Sequence, residues 1–298
     1  MDNFHSGFVA LIGKPNTGKS TFINASLGLK VAITSSKPQT TRARVIGIKT
    51  TKTSQIIYVD TPGFCKPKHF LGEYLLKVAK EESQGADLVL WMLDACSPNT
   101  KEDEEVLEYL LSRLKNKPVF LIINKIDLHS KEKILPIIAD YQSKFNFAQI
   151  IPISALKRDN ISTVEELIAA QLPQGPLYYP EEMQTEQSED WFLQEIIREK
   201  ALQLTHHEVP HTVLVVIEEK RPGQRGDDLY VRALIYVEKA SQKKILIGKD
   251  GQKLKNIGML ARKEMESYLH KEVYLDLWVK VKKDWRSHKD FLKGMGYW

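Results

Sequence analysis

The sequence predicts an α/β domain with a mostly parallel sheet, followed by a smaller α+β domain. Three observations carry that reading. Apolar runs suited to buried strands alternate with helical patterns as far as the helix at 164–172, as in parallel strands joined by crossover helices. A glycine-rich turn separates the first such strand from the first helix. Pro173-Gln174-Gly175-Pro176 and a polar, acidic stretch to Asp190 then interrupt the pattern before a second set of elements begins. Residues 1–172 are thus expected to form the first domain, 173–190 a linker and 191–298 the second domain.

The first strand, 8–12, runs into Gly13-Lys14-Pro15-Asn16-Thr17-Gly18-Lys19-Ser20, and Thr21 opens a helical pattern. A strand, a GxxxxGK[ST] turn and a helix in that order define the P-loop NTPase fold. The glycines let backbone N–H groups wrap a phosphate chain, and the helix N-terminus adds partial positive charge. Lys19 can reach the β- and γ-phosphates, and the Ser20 hydroxyl can ligate Mg²⁺. The loop after the helix holds Pro38-Gln39-Thr40-Thr41-Arg42, where Thr41 is the preferred contact to metal and γ-phosphate and Thr40 its competitor. Runs 45–49 and 56–58 are separated by a short polar turn, which predicts an antiparallel hairpin at the sheet edge. Asp60-Thr61-Pro62-Gly63 ends that hairpin. Asp60 can hold Mg²⁺ through a water, and the Gly63 N–H can donate to the γ-phosphate.

Further along, strand 119–123 ends in Asn124-Lys125-Ile126-Asp127. A carboxylate there can accept two hydrogen bonds, from guanine N1–H and N2–H₂. Adenine has no such donor pair and would leave it desolvated and unpaired. Asn124 would tie loops together, and the Lys125 stem would lie along the base. Strand 150–153 ends in Ser154-Ala155-Leu156, whose N–H groups can meet guanine O6. The site therefore points to GTP and GDP with Mg²⁺.

The second domain reads α-β-β-α-α-β, with a helix at 191–203, strands at 212–217 and 229–237, a turn at 221–227 and a last strand at 273–281. Its diagnostic turn is Ile247-Gly248-Lys249-Asp250-Gly251, followed by a helix carrying Lys253. A GXXG turn between helices is the KH signature, which clamps a single-stranded nucleic-acid backbone, and the second domain is expected to be an α+β type II KH domain. From 241 to 298 there are 14 Lys and Arg against 7 Asp and Glu, a net +7; the whole chain is +5, so the remainder is −2. A basic footprint beside the GXXG turn favours phosphate backbones. Lys282, Lys283 and Arg286 extend it, and Trp285 offers a ring on which a base can stack. Trp278 lies within the last strand and is expected in the core.

Length and composition agree. A chain of 298 residues suits about two domains. The hydrophobic fraction of 42% and charged fraction of 27% are ordinary for a soluble globular protein. Cys65 and Cys96 are the only cysteines, which fits reduced thiols and excludes a disulfide framework or a structural zinc site. Seven residues precede the first strand, too few for a secretory or transit segment. No apolar run approaches membrane-spanning length.

GKPNTGKST, PQTTR, DTPG, NKID and ISAL, in this order and followed by the GXXG turn, resemble the Era family of ribosome-assembly GTPases, within the TrmE-Era-EngA-like group. The resemblance runs the length of the chain. It implies binding to the 3′ end of 16S rRNA, assistance to 30S subunit assembly and a cytoplasmic monomer, with peripheral contact at the inner membrane also open. Two positions depart from common patterns. Thr17 stands where relatives commonly have Val. Phe64 follows Gly63 where many related GTPases keep a Gln that orients the attacking water. Intrinsic hydrolysis is then expected to be slow, with another group completing the site. Relatives use K⁺ there, which makes Asn16 a candidate K⁺ ligand; the competing role is a loop-shaping hydrogen bond. A rival reading keeps the GTPase but has the KH-like domain bind protein or membrane instead of RNA.

Overall fold

The computed structural model describes residues 4–37, 39–223 and 228–297. Pro38 and residues 224–227 of the predicted loop and turn lie outside them. In chain order the elements are β1 (His5–Ile12), α1 (Lys19–Leu27), β2 (Val45–Thr50), β3 (Ser54–Asp60), α2 (Phe70–Gly85), β4 (Leu88–Asp94), α3 (Lys101–Arg113), β5 (Val119–Asn124), α4 (Lys131–Lys144), β6 (Gln149–Pro152) and α5 (Ile161–Gln171). Then come α6 (Glu189–Gln203), α7 (Val209–Thr212), β7 (Leu214–Pro222), β8 (Leu229–Val237), α8 (Ala240–Ile247), α9 (Gln252–Leu269), β9 (Val273–Val281) and α10 (Lys289–Gly294). They form two compact units, one built mainly from residues up to Glu186 and one mainly from Gln187 onward.

The first unit has a six-stranded sheet in the order β2-β3-β1-β4-β5-β6. Only β2 runs antiparallel, paired with β3 and lying at the edge as the short connection predicted. The central strands are apolar on both faces because helices cover both faces. Val9, Leu11, Tyr58, Leu90 and Ile122 pack on one side with Phe22 and Ile23 of α1 and Val164 and Ile168 of α5. Val89, Trp91, Leu121 and Ile123 pack on the other with Ala79, Val106, Leu110 and Tyr141. Parallel strands all end on the same side, so the loops after β1, β3, β5 and β6 converge there.

The stretch expected as a linker is bound to the first unit for most of its length. The Ile48 N–H donates to the Gln184 carbonyl at 2.9 Å, and Thr185 Oγ1 donates to the Ile46 carbonyl at 2.7 Å. Gln55 accepts from the Tyr178 and Tyr179 N–H groups. Tyr179 and Met183 pack on Ile46, Ile48, Ile57 and Val59. The segment satisfies the exposed polar edge of β2, a use of backbone that polar composition does not reveal.

The second unit has a three-stranded sheet, β7-β8-β9, with β7 and β8 antiparallel and β8 and β9 parallel. Leu193, Ile196 and Ile197 of α6 and Ile257, Ala261 and Met265 of α9 cover one face. The strand expected from Thr212 begins at Leu214, because Pro210 opens the single helical turn α7. Two tryptophans exchange their expected roles. Trp278 is 57% exposed, whereas Trp285 is fully buried. In β9, Val273 and Val279 turn inward and Tyr274, Trp278 and Lys280 turn outward. The period of two therefore places Trp278 on the outer face.

Candidate nucleotide and RNA sites

Two glycines shape the phosphate loop. Gly13 has φ 142°, and a Cβ there would lie 2.4 Å from the Met92 carbonyl oxygen. Gly18 has φ 95°, and its Cβ would lie 2.2 Å from the Asn124 side chain. No other residue fits either place. Lys19 opens α1 and is buried. Its ammonium donates to the carbonyls of Gly13 at 3.1 Å and Lys14 at 3.0 Å. Burial pulls the Lys19 pKa down to about 8, opposed by the charge of Asp60. Thr21 follows in the first turn, half-buried.

Ser20, Thr41 and Asp60 converge from α1, the loop before β2 and the end of β3. Ser20 Oγ donates to Asp60 Oδ2 at 2.6 Å, Thr41 Oγ1 donates to the same oxygen at 3.2 Å, and the two hydroxyls are 3.1 Å apart. Asp60 Oδ1 is buried without a hydrogen-bond partner. Burial raises the Asp60 pKa, while Lys19, Ser20 and Thr41 pull it down. One carboxylate and two hydroxyls form a hard-oxygen set suited to Mg²⁺. Among the described residues no group of three or more His, Cys, Asp or Glu could hold a metal alone.

Gly63 lies against this loop, and a Cβ there would come within 2.8 Å of the Pro15 nitrogen. The next residue is tied to the loop as well, since the Phe64 N–H donates to the Gly13 carbonyl at 3.0 Å. The Phe64 ring is buried against Tyr109, with centroids 5.3 Å apart. Asn16 is exposed, with φ 65°, a conformation that Asn tolerates.

At the other end Asn124 joins three loops. Its side chain donates to the Thr17 carbonyl at 2.8 Å and accepts from the Ala155 N–H at 2.9 Å. Lys125 has φ 70°, and its ammonium donates to Asp94 Oδ2 at 2.6 Å. Asp127 is exposed and accepts from Ser154 Oγ at 2.5 Å. The three N–H groups expected to meet guanine O6 are not equivalent. Ala155 donates to Asn124, Ser154 donates to the Asp159 carbonyl at 3.3 Å, and Leu156 is 74% exposed.

In the second unit Gly248 and Gly251 both have φ 75°, and Asp250 between them has φ 50°. A Cβ at Gly248 would lie 2.7 Å from Lys253 Cβ. The turn thus links α8 to α9 with the Lys249 and Asp250 side chains exposed, and with Ile247 packed on the core. Lys282 and Lys283 are exposed after β9. Two residues expected to face RNA are used internally. The Trp285 indole N–H donates to the Thr212 carbonyl at 2.9 Å, so the ring is core and not a stacking platform. Arg286 makes a two-pronged ion pair with Glu238, at 3.0 and 2.6 Å. The sequence reading missed Lys14 and Asp94, whose partners are remote in the chain and which no motif marks.

Residues 8–125 match the family described as 50S ribosome-binding GTPase, and residues 208–286 match the KH domain family. The chain is 42% identical to a single-residue variant of Era from Aquifex aeolicus bound to GDP and AlF4⁻, over 99% of both chains with a TM-score of 0.95. It is equally identical, over the same shares and with a TM-score of 0.94, to Era in complex with MgGDPNP and nucleotides 1506–1542 of 16S ribosomal RNA. With the nucleotide loops and the GXXG turn in their places, this likeness over the whole length settles the family: the chain belongs to the Era family of GTPases.

Proposed function

We propose that this chain is a GTP-hydrolysing switch whose KH unit binds single-stranded 16S rRNA near its 3′ end and assists assembly of the small ribosomal subunit. The observation that carries the nucleotide half is Asn124, which holds the phosphate loop and the base loop as one body through Thr17 and Ala155. A nucleotide spanning the two meets a preorganised site at both ends. Asp127 selects guanine. Gly18, Lys19, Ser20 and Thr21 present backbone N–H groups, an ammonium and a hydroxyl to the phosphates. Ser20 and Thr41 would hold Mg²⁺, with Asp60 acting through a water, and the charge on the β- and γ-phosphates would be neutralised there. Gly63 donates its N–H to the γ-phosphate.

The buried Phe64 ring cannot orient the attacking water, which supports a slow intrinsic rate. We assign the group that completes the site to K⁺ held near Asn16. Hydrolysis should then run faster in K⁺ than in Na⁺, and Asn16→Ala should abolish the difference; indifference of the wild type to the cation removes this assignment. For RNA, the exposed Lys249 and Asp250 on the GXXG turn, with Gly248, Gly251, Lys253, Lys282 and Lys283, form the contact surface. We place the protein in the cytoplasm as a monomer. Contact with an anionic membrane face through the same basic segment is the competing use of that surface.

The test combines the full chain with GTP and an rRNA 3′-end fragment, following phosphate release and RNA binding together. Binding that weakens as salt rises, alongside guanine-specific hydrolysis, is expected. Hydrolysis without RNA binding would favour the scaffold reading.

A further inference from the structure

The phosphate loop contains a second lysine, at one of the four positions that the GxxxxGK[ST] pattern leaves open. Lys14 is buried, and its ammonium crosses to the N-terminus of α3. There it meets Asp103 Oδ2 at 2.8 Å, Thr100 Oγ1 at 3.1 Å and Ser97 Oγ at 3.3 Å, and it also donates to the Ser97 carbonyl. Asp103 is almost wholly buried and closes the capping box of α3 with Thr100. Its other oxygen, Oδ1, has no hydrogen-bond partner. The Lys14 ammonium thus supplies the counter-charge of a desolvated carboxylate, which is a geometry costly to disturb.

The backbone of the same residue sits at the phosphate end. The Lys14 carbonyl accepts from the Lys19 ammonium at 3.0 Å and from Thr17 Oγ1 at 3.2 Å. Its neighbour Pro15 is the residue against which Gly63 packs. Asn124 fixes the loop from one side through the Thr17 carbonyl; Lys14 fixes it from the other. We propose that Lys14 is a positioning residue that anchors the Lys14–Pro15 apex of the phosphate loop to α3 and so sets the γ-phosphate end of the site. The proposal rests on the GTPase reading above and deepens it. Gly63, assigned above to the γ-phosphate, packs on Pro15, whereas the loop's later residues lead into α1. Loss of the anchor should therefore harm triphosphate binding more than diphosphate binding.

The experiment measures affinities for GDP and for a non-hydrolysable GTP analogue, with melting temperature, in wild type, Lys14→Met, Lys14→Arg and Lys14→Met/Asp103→Asn. We expect Lys14→Met to weaken the analogue about tenfold and GDP much less, as displacement of a positioned group does. Lys14→Arg should restore most of the wild-type ratio, since it keeps the ion pair. The double variant removes the buried lone charge, and should regain melting temperature without regaining the ratio. A wild-type analogue-to-GDP ratio in folded Lys14→Met, or a ratio that recovers with stability in the double variant, would overturn the proposal. Failure of the wild type itself to prefer guanine over adenine nucleotides would instead overturn the reading of the site.

Discussion

Trp285→Phe separates the two roles open to that residue. The indole is fully buried, lies edge-on to Phe291 with centroids 6.4 Å apart, and donates to the Thr212 carbonyl at 2.9 Å. Phenylalanine keeps an aromatic ring but removes the donor, and Thr212 is itself buried. A buried carbonyl left without a partner costs about 1–3 kcal/mol. The smaller ring adds a cavity term. At a combined cost of about 2 kcal/mol, the melting transition of the KH unit should fall by on the order of 8 °C. Trp278→Phe changes an exposed side chain and should stay within about 0.5 kcal/mol. Scanning calorimetry of the full-length variants reads both. RNA affinity, measured at a temperature where each is folded, should be unchanged in Trp285→Phe. Unchanged melting together with a large loss of RNA affinity would refute the argument, because it would put the ring on the RNA and not in the core.

Other expectations follow from the same geometry. Asp127→Asn should lose GTP and gain xanthosine triphosphate, because an amide donates where the carboxylate accepts; equal GTP affinity in the variant would remove Asp127 from the base site. Ser20→Ala should cut Mg²⁺-dependent hydrolysis by about tenfold or more, about 1.4 kcal/mol in the barrier, and unchanged turnover would point to a different ligand. Burial pushes the Glu238 carboxyl up, but hydrogen bonds and charge from Arg286 outweigh it, leaving the pKa below its ordinary value of 4.5. A depressed folded pKa stabilises above the unfolded value, and that contribution disappears as pH falls through the folded one. The gap in melting temperature between wild type and Glu238→Gln should therefore be full near neutral pH and close below about 4.5; a gap independent of pH would contradict the ion pair.

The nucleotide site was legible because its chemistry is carried by short contiguous runs. Gly13, Gly18, Lys19, Ser20 and Asn124 each sit at the end of an apolar strand or the start of a helix, and parallel strands bring such ends together. The GXXG turn was legible for the same reason. What was not legible depends on partners remote in sequence. Lys14 meets Asp103 across 89 positions, and nothing in either residue's neighbourhood marks the pairing. Arg286 reads as a surface charge in the sequence, yet Glu238 holds both of its prongs. The exchange between Trp278 and Trp285 has a local cause. Leu277 and Trp278 are adjacent apolar residues, so the strand's parity depended on Val273 and Val279 instead of on side-chain size. The segment before Glu186 read as a linker because it binds β2 largely through main-chain groups, to which composition is blind.

The switch reading is tested most directly by RNA affinity in two nucleotide states. The full chain, saturated with GTP analogue or with GDP, is titrated with an rRNA 3′-end fragment. The account predicts different affinities, and linkage requires the RNA to tighten the favoured nucleotide by the same factor. Identical RNA affinities in both states would contradict the switch, leaving a GTPase and an RNA-binding unit merely joined by a chain.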